Sequence, residues 1–288
     1  MQFIEAARDF LAYIEMTRSN GTYRYQKSKI NVLEIYFDNE DINTIDKKNL
    51  VKFISFMRKR NPKITNATLN KYIGIIRRII RYNIDKDVKF EKLPEDKRIV
   101  PTLKQRTINR IFGYYQGNSS RPEMLRNYVL FRLLLDTGLR INEALHLRIR
   151  DIDFETSTIH VKVTKTKMER YVFFTKTTKQ FLKKLISSKD ISDYIFINYQ
   201  TKGILKVDNI EKVVYRLEKR LKLDEKIKPH KWRHTFATRF IKNGGNLEAL
   251  RLIMGHTNLK TTQIYLHVDN EHLHKEYFRV NNLALDTA

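Results

Sequence analysis

The stretch EMLRNYVLFRLLLDTGLRINEALHLRI, residues Glu123–Ile149, decides the fold class of the second part of the chain. Apolar residues dominate it up to Leu135, which is typical of a helix buried on most sides. Gly138 then interrupts the pattern, and glycine commonly ends a helix because it adopts the left-handed conformation without strain. The stretch therefore predicts a buried helix, a break at Gly138 and a second helix.

Residues 1–85, before this stretch, show only helical periodicity. They predict four helices. The first begins near Phe3, the second runs near Tyr23 to Phe37, the third runs near Lys47 to Lys59, and the fourth covers the segment NATLNKYIGIIRRIIRYNI. Asn66 and Thr68 offer capping oxygens at the start of the fourth helix. That helix also presents basic side chains that suit a polyanionic partner, namely Lys71, Arg77, Arg78 and Arg81. The segment 86–101 is charged, contains two prolines and is predicted to be a linker.

Residues 102–288 combine helices with a small amount of strand. In TSTIHVKVTKTKMERYVFFT, apolar and polar residues alternate on both sides of a short polar turn, which predicts a β-hairpin. YIFIN is a candidate for one further strand, and helical patterns resume from Asn209. The predicted fold class is mainly α with a small antiparallel β-sheet.

Charge and composition narrow the functional classes. The chain has 288 residues, no cysteine and a formal net charge of +24, which favours a polyanionic partner such as nucleic acid over a merely solvated lysine-rich surface. The absence of cysteine excludes disulfides, thiolate zinc sites and cysteine nucleophiles. The sequence shows no phosphate-binding G-x-x-x-x-G-K-[ST] loop, no carboxylate cluster for paired magnesium ions and no apolar run long enough to span a membrane. We therefore expect a cytoplasmic protein without a cofactor, and a nucleic-acid partner would place it at the nucleoid.

Three short segments hold the residues best suited to phosphate chemistry. TGLRINEAL places Arg140 at a helix start with Glu143 three residues later, either as an anion site with its orienting carboxylate or as an ordinary surface ion pair. PHKWRHTFAT places His230 and Arg233 three residues apart. Its second histidine, His234, allows a zinc site that the neighbouring arginine disfavours.

The third segment, MGHTNLKTTQIYLHV, supplies His256 after a glycine and Tyr265 nine residues later. Tyr265 is either a packing residue or a nucleophile, and nothing in this segment alone decides between them. Trp232, the single tryptophan, is expected to pack in the core.

Taken together and in this order, these segments and the TKTKMERYVFF hairpin resemble the tyrosine recombinase (phage integrase) family, most closely its minimal Xer-like members. The resemblance covers nearly the whole chain. It implies a SAM-like four-helix core-binding domain at 1–85, the linker at 86–101, and an α+β catalytic domain at 102–288. It also implies that a C-terminal helix at about 270–288 docks into a neighbouring subunit of a tetramer on two DNA sites, with a possible monomer when the protein is free.

The resemblance assigns the catalytic roles residue by residue. The family's arginines fall on Arg140 and Arg233, its histidine positions on His230 and His256, its lysine on Lys165 and its nucleophile on Tyr265, with Glu143 in support. The glycines that often flank the family's lysine are Thr164 and Thr166 here. Lys162 and Lys167 therefore remain rivals for the lysine role and are otherwise expected to contact DNA.

The chemistry agrees with these residue types. Two arginines and a histidine stabilise the charge that develops on a phosphate under attack, and a covalent phosphotyrosine conserves the bond energy for rejoining without ATP. The implied function is site-specific recombination through a 3′-phosphotyrosine and a four-way junction. The alternatives are a type IB topoisomerase, which relaxes one duplex, and a DNA-binding protein that has lost catalysis.

Overall fold

The computed structural model describes residues 1–95, 101–118, 120–162, 169–187 and 193–263. The chain forms two compact units, Met1–Arg98 and Ile99–Ala288. Val88 is buried in the core of the first unit, and Phe90 and Leu93 pack against that core. The functional division of the chain into core-binding domain, linker and catalytic domain stays a prediction.

The first unit contains the four helices that the periodicity predicts. They are α1 (Phe3–Thr17), α2 (Asn20–Phe37), α3 (Lys47–Arg60) and α4 (Asn66–Ile84). Their apolar faces meet in one cluster, in which Phe3, Leu33, Phe53 and Ile76 are fully buried. One detail of the prediction is wrong: the N-cap of α4 is Thr65, whose hydroxyl accepts a hydrogen bond from the Thr68 backbone N–H.

The second unit is helical around a small sheet. Its helices are α5 (Gln105–Gln116), α6 (Pro122–Thr137), α7 (Ile141–Leu145), α8 (Lys176–Ser187), α9 (Val207–Arg220), α10 (Pro229–Lys242), α11 (Leu247–Met254) and α12 (Lys260–Gln263). Its strands are β1 (Ile152–Asp153), β2 (Thr158–Val161) and β3 (Arg170–Phe173), antiparallel in the order β1-β2-β3.

The predicted hairpin is confirmed, because Ile159 lies opposite Val172 and Val161 opposite Arg170. YIFIN does not join this sheet, so that suggestion is wrong. Its Ile197 forms an isolated bridge with Ile204 instead.

Helix α6 lies at the centre of the second core. Trp232 of α10 is fully buried, and its ring stacks on Phe131 of α6 with the ring centroids 4.9 Å apart. The indole N–H donates to the Ile227 carbonyl at 3.2 Å, so the polar edge of the ring is also satisfied. The predicted packing role of Trp232 is confirmed.

Gly138 ends α6 in the left-handed conformation, with φ of 63°. A Cβ atom at this position would lie 2.3 Å from the Phe236 ring, so a side chain is excluded by contact as well as by backbone strain. The chain then turns sharply, and two residues later Arg140 caps α7. None of the helices in the described residues is long and apolar enough to cross a membrane.

Candidate active site

Arg140 and Glu143 form the first part of the site, at the start of α7. The Arg140 Nη1 atom donates to Glu143 Oε1 at 2.9 Å, and the Arg140 backbone N–H donates to Glu143 Oε2 at 2.8 Å. Glu143 is only 4% exposed, whereas about a quarter of the Arg140 side chain, 26%, remains accessible. The carboxylate therefore holds a partly open guanidinium, and the ion pair is not the surface pair that the sequence left as an alternative.

Arg170, the first residue of β3, is a second partner of Glu143 and was not singled out in the sequence. Its Nη1 and Nη2 atoms donate to the two Glu143 oxygens at 3.2 and 2.7 Å. Burial raises the pKa of Glu143, but the hydrogen bond and charge of Arg170, followed by those of Arg140, outweigh it and leave that pKa below its usual value. Glu143 is thus ionised at neutral pH.

Arg233 of α10 is also buried, at 5% exposure. Its guanidinium donates to the carbonyl oxygen of Gly138 and, at 2.6 Å, to that of Met254. The Gly138 carbonyl lies just after α6, and the Met254 carbonyl belongs to the last residue of α11. Arg233 therefore joins the two turns that carry Arg140 and His256.

His256 contacts both Arg233 and α12. Its Nε2 atom lies 3.0 Å from Arg233 Nη2, and its Nδ1 atom lies 2.9 Å from the Thr262 hydroxyl. Burial, then the charges of Arg233, Arg140 and Arg170, lower the pKa of His256 to about 4. The imidazole is neutral at pH 7, and because Arg233 donates to Nε2, its proton is on Nδ1 and faces Thr262.

His230 occupies a different environment from Arg233, although both belong to α10. His230 is exposed in the first turn of the helix, whereas Arg233 is buried one turn later. The neighbouring His234 is half-buried, and burial, followed by the charges of His230 and Arg233, lowers its pKa to about 4. Among the residues that the structure describes, no three His, Asp or Glu side chains are arranged to hold a metal ion.

Other predicted site residues lie outside the described residues or apart from this cluster. Lys165, Lys167 and Tyr265 belong to segments that the structure does not describe. Lys162 is exposed and pairs with Asp151 at 3.4 Å.

The four basic residues of α4 differ in their surroundings. Lys71 and Arg81 are exposed. Arg77 forms a bidentate pair with Asp87, the shortest contact being 2.8 Å. Arg78 donates to the Gly74 carbonyl at 3.1 Å.

Comparison with known protein families shows which proteins the chain is similar to. Residues 101–272 match the model of the phage integrase family, and residues 2–99 match that of the phage integrase SAM-like domain. The chain is 32% identical over 271 residues to tyrosine recombinase XerA of Saccharolobus solfataricus, covering 90% of this chain and 87% of the relative. It is 29% identical over 278 residues to a probable integrase/recombinase of Acholeplasma phage L2, covering 96% of this chain and 95% of the relative.

Solved structures with the same fold include two DNA complexes. The Tn1549 transposon integrase bound to circular intermediate DNA superimposes with a TM-score of 0.81 at 20% identity, covering 97% of this chain and all (100%) of that one. A lambda integrase dimer bound to a core site superimposes with a TM-score of 0.74 at 15% identity, covering 92% and 95% of the two chains. With a family model that spans more than half of its length, the chain belongs to the phage integrase family, the tyrosine recombinases.

Proposed function

We propose that this tyrosine recombinase performs site-specific recombination by cleaving and rejoining DNA through a 3′-phosphotyrosine on Tyr265. The observation that carries the proposal is the meeting of Arg140, Arg233 and His256 around the two turns after α6 and α11. Arg140 reaches the second turn through the Gly255 carbonyl at 3.4 Å, and Arg233 contacts His256 directly at 3.0 Å. Two guanidinium groups and an imidazole thus converge in one place.

This cluster suits a phosphodiester under nucleophilic attack. The attack places additional negative charge on the non-bridging oxygens, and preorganised donors aimed at that charge lower the barrier without a metal ion. Arg140 is supported by an ionised Glu143, and Arg233 is fixed by two carbonyls, so little reorganisation is needed when the phosphate arrives. Arg233 and the Thr262 hydroxyl hold the neutral His256 ring beside this cluster.

The remaining roles are proposed from the family's motifs. Tyr265 attacks the phosphorus atom, His230 at the exposed start of α10 accepts the phenolic proton, and Lys165 protonates the departing 5′ oxygen. The phosphotyrosine then accepts the 5′ hydroxyl of a partner strand, so that each bond broken is replaced by one formed. No nucleotide cofactor is required by this sequence of steps.

We propose the assembly and the cellular location from the same family resemblance. Four subunits act on two recombination sites and exchange strands through a four-way junction. The segment at about 270–288 docks into the neighbouring subunit. The core-binding domain at 1–85 binds the duplex through Lys71, Arg77, Arg78 and Arg81, and Lys162 and Lys167 of the catalytic domain add further contacts. The protein then acts on DNA in the cytoplasm, at the nucleoid.

The test is covalent capture on nicked suicide DNA that carries the element's own flanking sequence. Wild-type protein should form an adduct that survives denaturing electrophoresis, with the DNA attached through its 3′ phosphate. Tyr265→Phe should bind this DNA but form no adduct. Tyr215→Phe is the matched control, because Tyr215 is 54% exposed on α9 and should react as wild type. An adduct that persists in Tyr265→Phe, or a 5′ linkage, would show that the assignment is wrong.

A further inference from the structure

Arg170 is a buried arginine without a role in the steps above. It is only 9% exposed, and three of its donors have fixed partners. Nη1 and Nη2 span both oxygens of Glu143, and Nε donates to the Ile253 carbonyl at 2.7 Å. A planar guanidinium can donate to a carboxylate and a carbonyl at the same time in a fixed geometry, whereas a lysine ammonium cannot.

The surroundings of Arg170 are fitted closely to it. β3 pairs Arg170 with Val161, and the alternation of the strand turns it to the same buried side as Val172. The turn after α11 crosses the guanidinium at Gly255, which has φ of 62°. A Cβ atom at Gly255 would lie 3.0 Å from Arg170 Nη1, so a side chain at this position would crowd the guanidinium.

Both proposed catalytic arginines depend on groups that Arg170 holds. Arg140 is oriented by the Glu143 carboxylate and reaches the Gly255 carbonyl. Arg233 donates to the Met254 carbonyl, in the turn that Arg170 fastens one residue earlier through Ile253. From this arrangement we infer that Arg170 is a positioning residue for DNA cleavage, acting through Glu143 and the segment Ile253–His256 at the end of α11; the inference rests on the proposed function.

A positioning role differs from a purely structural one in its dependence on the charge of Glu143. The charged groups that face this carboxylate are Arg140 from α7 and Arg170 from β3, with Arg233 and His256 beyond them. Burial raises the pKa of Glu143, and Arg170 is the largest influence that opposes it. Without Arg170 the pKa of Glu143 is higher, so a larger fraction of this carboxyl is protonated at the acidic end of a pH series and no longer holds Arg140 by an ion pair. Raising the pH ionises the carboxyl and therefore increases the rate of cleavage.

The experiment compares cleavage rates of the full chain on suicide DNA across a pH series, under single-turnover conditions. Arg170→Met should cleave about 10- to 100-fold more slowly than wild type near neutral pH, as expected for loss of an interaction that orients a charged group. Its rate should also rise with pH more steeply than that of wild type. Adding Glu143→Gln to Arg170→Met should remove this extra pH dependence, because the titrating group is gone.

Arg126→Met is the matched control for the loss of a buried arginine. Arg126 is 6% exposed in the same unit and donates to Asn127 Oδ1 and to the Ile197 carbonyl, away from the site. It should lower thermal stability without steepening the pH dependence of cleavage. If Arg170→Met does not fold, Arg170→Lys carries the test, because it keeps the charge but loses the fork and should still cleave more slowly than wild type.

The outcomes separate this inference from the proposed function. Absence of an adduct in the wild-type protein would overturn the proposed function. A wild-type adduct together with either a wild-type rate or a wild-type pH profile in Arg170→Met, or a wild-type rate in Arg170→Lys, would overturn the role of Arg170 alone. An equally steep pH profile in Arg126→Met would also overturn it, because the effect would then follow from lost stability.

Discussion

Replacing Thr262 by valine tests whether the hydrogen bond to His256 matters for catalysis. Thr262 is 0% exposed, and its hydroxyl lies 2.9 Å from His256 Nδ1. Valine has nearly the same shape but no acceptor, so the Nδ1–H group loses its partner without a cavity being formed. The ring cannot escape by moving its proton to Nε2, because Arg233 already presents a donor there at 3.0 Å.

The magnitude follows from that missing partner. A buried donor without an acceptor costs about 1–3 kcal/mol, and we expect the free energy of unfolding to fall within that range. If the same loss appears in the cleavage barrier through a misplaced imidazole, the rate falls by about 5- to 150-fold. The first is measured by denaturant unfolding and the second by single-turnover cleavage of suicide DNA.

Thr262→Ser separates the hydroxyl from the packing. Serine keeps the acceptor but removes a buried methyl group, which costs roughly 1 kcal/mol of stability. We expect Thr262→Ser to be less stable than wild type yet to cleave at close to the wild-type rate. Cleavage by Thr262→Val at the wild-type rate, or a serine variant as slow as the valine variant, would refute the reasoning.

Three further predictions concern the hairpin, the C-terminal segment and pH. Lys165→Ala should stall cleavage of ordinary DNA, and a 5′-bridging phosphorothioate should restore it, because sulfur leaves without a proton; rescue in Lys162→Ala or Lys167→Ala instead would reassign the lysine. Deleting the residues after about 280 should leave single-site binding intact in gel-shift assays but reduce two-site complexes and recombination. Unchanged recombination would exclude docking of this segment into a neighbouring subunit. His234 and His256 have pKa values of about 4, below the ordinary 6.5, so the unfolded chain binds more protons between these values. The thermal midpoint should therefore fall as pH falls from 6.5 to 4, less steeply in His256→Gln, and an equal slope in that variant would contradict the assignment.

Elements with strong local signals were predictable from the sequence. The four helices of the first unit follow from apolar residues repeated at helical spacing, and the break at Gly138 follows from the chemistry of glycine. The strand predicted for YIFIN was wrong because a run of apolar residues is also found in buried loops. Ile195 and Phe196 are both fully buried, and the Ile195 backbone N–H donates to the Leu147 carbonyl rather than to a sheet neighbour.

Contacts between distant parts of the chain account for what was missed at the site. Arg170 finds Glu143, which is 27 residues away in the chain, and no local pattern encodes that distance. One signal was nevertheless present, because the alternation in RYVFF puts Arg170 on the same side as Val172, where an arginine requires a buried acid. Thr262 gave no such signal, since a threonine near a helix start is ordinary. The different burial of His230 and Arg233 was likewise not visible from their spacing.

The hydrogen bonds that Arg233 donates to the Gly138 and Met254 carbonyls also affect how a catalytically inactive variant of this enzyme should be made. Replacing Arg233 by alanine removes a positive charge, but it also leaves two carbonyl oxygens without their donor. The hydrogen bonds that link the end of α6 to the end of α11 are then lost. A variant of that kind would confuse lost chemistry with a loosened framework in imaging, pull-down or competition experiments. A phenylalanine at position 265 removes one hydroxyl and leaves those ties in place, which makes it the better inert reagent for capturing the protein on its DNA.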